Sequence, residues 1–402
     1  MKHFLSLADL TPKELIGLLD LAVALKAERK QGQNPPYLKG KTLGMIFQKP
    51  SLRTRVSFDA AMLHLGGHAL YLSPNEIALG QRELVGDVAR VLSRYVDAVM
   101  ARVFGHKDVL DLARHASVPV INGLSDYSHP CQGMGDLLTV YERFGKLKKV
   151  KVAYIGDGNN VANSLIFGCT LAGADFAIAT PIGYEIKGDV VAKAQAFAAK
   201  SGSNLYFTHD PNEAAREADV LYTDVWTSMG QEGEMQKRIE AFSPRYQINA
   251  ALLSRARRNA IVMHCLPAHR GQEITDEIAD GPQSALWDQA ENRMHAQKAI
   301  LVELLAPEHA REIHARALAL RPTAGLKAGL PETPPAAPRA AARTPSKSRH
   351  PHAVTARPST ASIGGRPKRT AKAKPSGKRR PPKASIGGKP KAKSKSSRRR
   401  GA

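Results

Sequence analysis

Short apolar runs alternate with segments of helical periodicity twice along the first 305 residues, and this alternation restricts the chain to an α/β fold. Strands are expected at 42–47, 69–72, 98–103 and 118–123, then at 150–155, 175–179, 205–207, 220–223 and 261–264. Near-continuous apolar runs such as Ala98-Val99-Met100-Ala101 suit strands buried on both faces, as in a parallel sheet between helices. Thr11-Pro12-Lys13-Glu14 reads as a helix start, with Thr11 as cap and Pro12 at the first helical position. Leu15, Leu18, Leu19, Ala22 and Leu25 follow at helical spacing. Further helices are expected at 85–94, 109–115 and 134–147, the last as a connector, and a final one near 296–305. The expected architecture is α/β: two doubly wound parallel-sheet domains joined by helices. They span 1–132, completed by a C-terminal helix at about 290–322, and 148–289.

The net charge of +23 suggests a nucleic-acid binder until it is divided along the chain. Residues 323–402 carry 22 of the 59 basic side chains and one of the 36 acidic ones, Glu332. Residues 1–322 are left with 37 and 35, an ordinary balance for a soluble enzyme. Pro, Ala, Ser, Lys and Arg dominate the tail, and Ala-Ser-Ile-Gly-Gly occurs twice, at 361–365 and 384–388. Such a segment cannot bury enough apolar surface to offset its ordering entropy, so disorder is expected. Its charge density suits non-specific binding of nucleic acid or another polyanion. Cys131, Cys169 and Cys265 are too few and too scattered for a disulfide framework. The N-terminus lacks the apolar core of a signal peptide, and no stretch approaches the length of a membrane span. A cytoplasmic protein without membrane contact is expected.

Five segments carry chemistry. Pro50-Ser51-Leu52-Arg53-Thr54-Arg55 joins the first strand to a helix that ends in Gly66-Gly67. Free amides and the positive end of the dipole favour an anion at a helix start, and arginine adds forked donors matched to phosphate oxygens. His129-Pro130-Cys131-Gln132 reads as a proline-stiffened loop at a sheet edge, able to donate to a carbonyl, with Arg102 aimed at the same crevice. Gly156-Asp157-Gly158 invites a dinucleotide reading, but Asn159-Asn160-Val161 follows where a third glycine is needed. A turn presenting Asn159 and Asn160 is the better reading. Asp224…Ser228-Met229-Gly230 and His264-Cys265-Leu266-Pro267 both follow strands, where open α/β sheets place ligands. Asp224 offers a partner for an ammonium. Cys265 is a packed small side chain or a soft contact for an amine. Arg293 is expected to begin the return helix.

Together these segments resemble the aspartate/ornithine carbamoyltransferase family, in its ornithine branch, from Lys2-His3-Phe4-Leu5 to about residue 305. An aspartate enzyme would share the first two motifs and lack the last two. The resemblance implies that Ser51, Leu52 (by its backbone), Arg53 and Thr54 hold the phosphate of carbamoyl phosphate. Arg102, His129 and Gln132 would bind the carbamoyl group, with Arg293 reaching the substrate. Asn160, Asp224, Ser228 and Met229 would take the α-amino and α-carboxylate groups of ornithine. Cys265 and the Leu266 carbonyl would lie beside the δ-amine, with Arg102, His129 and Cys265 as catalytic residues. It further implies a homotrimer with shared sites and no need for a metal or cofactor. One departure stands out: many members carry Gln two residues before the Gly of the Gly-x-x-Glu loop, and here Ala78 precedes Gly80-Gln81-Arg82-Glu83. Gln81 and Arg82 are candidates to complete a neighbouring site. Another acceptor amine, such as putrescine or an acylated ornithine, is the rival reading, and a nucleic-acid role for the tail is a third.

Overall fold

The computed structural model describes residues 1–228 and 231–317; Met229 and the basic tail lie outside the described residues. Among the described residues nine strands form two wholly parallel sheets. The first contains β1 (Thr42–Phe47), β2 (His68–Leu72), β3 (Ala98–Arg102) and β4 (Val120–Leu124), in the order β2-β1-β3-β4. The second contains β5 (Lys151–Ile155), β6 (Asp175–Ala179), β7 (Leu205–Thr208), β8 (Val220–Thr223) and β9 (Ile261–His264), in the order β7-β6-β5-β8-β9. In each sheet the winding reverses beside the first strand, so crevices open at the carboxyl ends of β1/β3 and β5/β8. Register brings Phe47 level with Arg102, which puts that arginine at the mouth of the first crevice.

Thr11 caps the helix Pro12–Lys30 in a reciprocal box with Glu14. Leu15, Leu18, Leu19, Ala22 and Leu25 are all buried, which fixes this helix onto the core at roughly 1.5–3 kcal/mol per leucine. One apolar cluster takes in Phe4, Met45 and Phe58 from the first half and Leu165, Phe176 and Met263 from the second.

Three expectations need correction. The connector helix begins at Pro130, not near 134, so His129 is its N-cap residue and Gln132 lies buried within its first turn rather than on a loop. Gly133 and Gly135 weaken the local helical signal, yet a Cβ on Gly135 would stand 2.9 Å from the Arg293 Cα, so glycine is what lets two helices meet there. The return helix runs Leu286–Leu305 instead of starting near 296, and Arg293 sits inside it. A further helix, Pro307–Ala317, follows, holding on through Ala310, Ile313 and Ala317. Among the described residues no helix is long and apolar enough to cross a membrane.

Candidate active site

Both crevices open into one cavity of about 1410 Å³, lined from the first half by Lys49, Ser51, Leu52, Arg53, Arg102 and His129. Asn159, Asn160, Asp224, Ser228, Cys265 and Leu266 line it from the second half, and Arg293 reaches it from the return helix. Ser51 caps the helix Leu52–His64, its Oγ accepting from the Thr54 amide at 3.3 Å. The amides of Leu52 and Arg53 belong to the first turn, where no carbonyl lies four residues back. The Leu52 side chain is 76% exposed, so only its backbone suits an anion here.

Cations gather beside this helix start. Arg293 Nη2 donates to Thr54 Oγ1 at 2.5 Å, and Arg102 Nη1 approaches the same oxygen at 3.5 Å. Burial first, then the neighbouring charges of Arg293 and Arg53, push the Arg102 guanidinium down to about 9. Burial likewise lowers Arg293. His129 lies well below the ordinary imidazole value because it is buried and faces Arg293, Arg102 and Lys49; it is therefore a neutral ring at physiological pH. Arg102 Nε, Arg293 Nε and His129 Nδ1 are buried without a hydrogen-bond partner among the described residues. Such orphaned polar atoms beside crowded cations make a site matched to a dianion and an adjoining carbonyl oxygen.

The opposite wall is built differently. Asn159 caps the helix Asn160–Ala172 with its Oδ1 and donates through Nδ2 to Asp224 Oδ2 at 2.8 Å. Asp224 Oδ1 accepts from the Val225 amide and from Cys265 Sγ, both at 2.8 Å. Burial and the Asp224 charge hold the Cys265 thiol well above its usual range, so it is a protonated donor and not a thiolate nucleophile. Asp224, His264 and Cys265 place one donor atom each within 4.8 Å of the others. Both His264 ring nitrogens are engaged, however, with Glu273 Oε1 at 3.0 Å and the Leu266 amide at 2.8 Å, so this trio does not read as a metal centre. Gly158 answers the dinucleotide question. A Cβ there would meet the Ile186 nitrogen at 2.4 Å, so the glycine serves close approach of a protein loop.

The structure thus gathers eleven of the expected residues around one cavity, counting Asn160, whose amide also donates to the Ser125 carbonyl at 2.6 Å. Thr54 and Gln132 are fully buried beneath the wall; Gln132 meets the cavity through Arg293, and Thr54 through Arg293, Arg102 and Ser51. Met229 is outside the described residues. Asn159 lines the cavity beside Asn160, as the turn reading expected, while Lys49 and the buried partners Asp136 and Gln289 were not legible as site residues; the one available signal was that Gln289 precedes Arg293 by one helical turn.

The sequence and the fold match known proteins. Residues 2–142 match the carbamoyl-P binding domain of aspartate/ornithine carbamoyltransferases, and residues 148–304 match the Asp/Orn binding domain. The ornithine carbamoyltransferase of Pyrococcus abyssi is 56% identical over 304 residues, covering 76% of this chain and 96% of that protein. The anabolic ornithine carbamoyltransferase of Pyrococcus furiosus is 55% identical over 300 residues, covering 75% of this chain and 95% of its own length. A solved structure of the Pyrococcus furiosus ornithine carbamoyltransferase superposes with a TM-score of 0.74 at 54% identity, covering 76% of this chain and 97% of that one. With both halves matched and more than half of the aligned residues identical, this chain belongs to the aspartate/ornithine carbamoyltransferase family.

Proposed function

We propose that the chain transfers the carbamoyl group of carbamoyl phosphate to the δ-amine of L-ornithine, releasing L-citrulline and phosphate, in the anabolic direction of arginine metabolism. The carrying observation is a cavity with crowded cations and a helix start on one wall and a carboxylate–thiol pair on the other. Ser51, the Leu52 and Arg53 amides and the Arg53 guanidinium hold the phosphate. Arg102 and neutral His129 donate to the carbonyl oxygen as the amine attacks, and charge on that oxygen grows into groups already oriented for it. Arg293, held by Thr54 and Gln132, balances the departing phosphate. Asn160, Asp224, Ser228 and Met229 take the amino-acid end, and Cys265 with the Leu266 carbonyl borders the δ-amine. These residues require no covalent intermediate. The matched domains span residues 2–142 and 148–304, and we assign the two substrates to them in that order.

An alkylammonium has a pKa near 10 in water and must lose its proton before attack. Desolvation beside Cys265 favours the neutral amine. Carbamoyl transfer should therefore be found with ornithine, giving citrulline, and be at least about tenfold slower with putrescine or N-acetylornithine. Its kcat/KM should rise with pH through an ionisation below that of free ornithine. A flat profile from pH 6 to 9, or a preference for another amine, overturns this reading.

The tail supports a second reading: its 22 basic residues against one acidic residue suit salt-sensitive, sequence-independent binding of polyanions. Without aromatics it offers no stacking platform for bases. Truncation near residue 320 should abolish DNA retention at low salt and leave carbamoyl transfer intact. Retention that survives truncation rejects the tail as the binding element. We assign the catalytic part to a cytoplasmic homotrimer, and sedimentation of the full-length and truncated chains tests the trimer.

A further inference from the structure

Gln132 lies below the cavity wall, and the direction of its amide is decided one layer further in. Gln289, also buried, aims Nε2 at two backbone carbonyls, His264 at 2.5 Å and Leu286 at 3.0 Å. A carbonyl oxygen only accepts, so Nε2 must face those two and Oε1 must face away. That Oε1 accepts from Gln132 Nε2 at 2.7 Å. Gln132 Nε2 also meets Asp136 Oδ1 at 2.9 Å, which leaves Gln132 Oε1 to accept from Arg293 Nη1 at 3.3 Å. Arg293 Nη2 then donates to Thr54 Oγ1 in the first turn of the phosphate helix. An unbroken series of hydrogen bonds runs from the backbone just before Cys265 to the helix start at Ser51.

We propose that Gln289 is a positioning residue that orients Arg293 through Gln132 and so ties the amine wall of the cavity to its phosphate wall. The inference rests on the carbamoyl-transfer reading above and deepens it. Arg293 makes no ion pair among the described residues, so the Gln132 oxygen and Thr54 are what hold its guanidinium. If Gln132 turned over, it would present an amide N–H₂ to a guanidinium, donor against donor. Misplacement of a charged group by about an ångström is enough to cost up to about a hundredfold in rate.

The test uses the full-length protein and three variants. Gln289→Met keeps the volume and the helix but removes both sets of bonds. Gln289→Glu can still accept from Gln132 and, kept protonated by burial against the two carbonyls, can also donate to His264. Gln289→Asn stays polar but is one carbon too short to span Gln132 and His264, and covers the case in which the methionine variant does not fold. Binding of inorganic phosphate by calorimetry is the primary readout, with kcat and KM for carbamoyl phosphate alongside it. Gln289→Met and Gln289→Asn should each weaken phosphate binding and lower kcat by about tenfold or more, with Gln289→Glu recovering phosphate affinity to within about threefold. The proposal is overturned if the methionine and asparagine variants bind phosphate within about twofold of the parent, or if glutamate rescues nothing. Phosphate binding is read without any amine, so these outcomes stand apart from whether ornithine proves to be the acceptor.

Discussion

Arg102→Met should lower kcat/KM for carbamoyl phosphate by about a hundredfold to a thousandfold while the melting temperature holds or rises. The two halves of this expectation have one cause. Arg102 is buried at the end of β3 between Arg53 and Arg293, and both its burial and those charges disfavour its ionised form. Its pKa is lowered from the unfolded value, so the folded chain resists the proton; the resulting loss of stability grows as pH falls from the unfolded value and is complete below about 9. Methionine fills much of the same volume and removes the repulsion. What it also removes is a preorganised donor to the carbonyl oxygen, and that loss falls on the transition state. Inorganic phosphate supplies the missing anion, so it should raise the melting temperature of the parent and raise that of the variant less. Differential scanning calorimetry with and without phosphate, beside initial rates, checks this. A variant that melts several degrees lower and keeps a tenth or more of its activity would make Arg102 a structural residue.

How legible the molecule was depends on what each residue answers to. Strands at 42–47, 175–179, 220–223 and 261–264 match the observed β1, β6, β8 and β9 because runs buried on both faces leave an apolar record that needs no partner to be read. Motifs at their carboxyl ends were legible for the same reason: once the strand is placed, so is the crevice. Depth was not legible. Thr54 and Arg53 are adjacent in sequence, yet one is wholly buried under Arg293 and the other faces the cavity. The return helix was underestimated because Gln289, Asn292, Arg293 and His295 look like a solvated stretch. They are buried, and Asn292 satisfies itself with Lys26, Thr139 and Glu142 from two other helices. Polar burial of this kind is decided by partners up to 266 residues away, which no local pattern records.

Asp224→Asn is the sharper test of the acceptor wall. The Asp224 carboxylate takes three donors, from Asn159, Val225 and Cys265, and all three need an oxygen that only accepts. Asparagine must turn its N–H₂ toward one side, either against the amide of Asn159 or against the Val225 N–H and the Cys265 thiol, and it carries no charge for an ammonium. Loss of a buried charge-assisted bond is worth a few kcal/mol, so kcat/KM for ornithine should fall about a hundredfold or more. The KM for carbamoyl phosphate should change by less than about threefold, since the phosphate wall is untouched. The two amines of ornithine can be told apart with 5-aminovalerate, which keeps the terminal amine and lacks the α-ammonium. If Asp224 pairs with the α-ammonium, the slow turnover of 5-aminovalerate should be nearly the same in parent and variant, and the substitution and the missing group should be strongly non-additive. An equal loss for both amines would place the Asp224 charge beside the δ-nitrogen instead. Cys265 would then report the same thing: its thiol donates to the very carboxylate oxygen that an attacking amine would have to share.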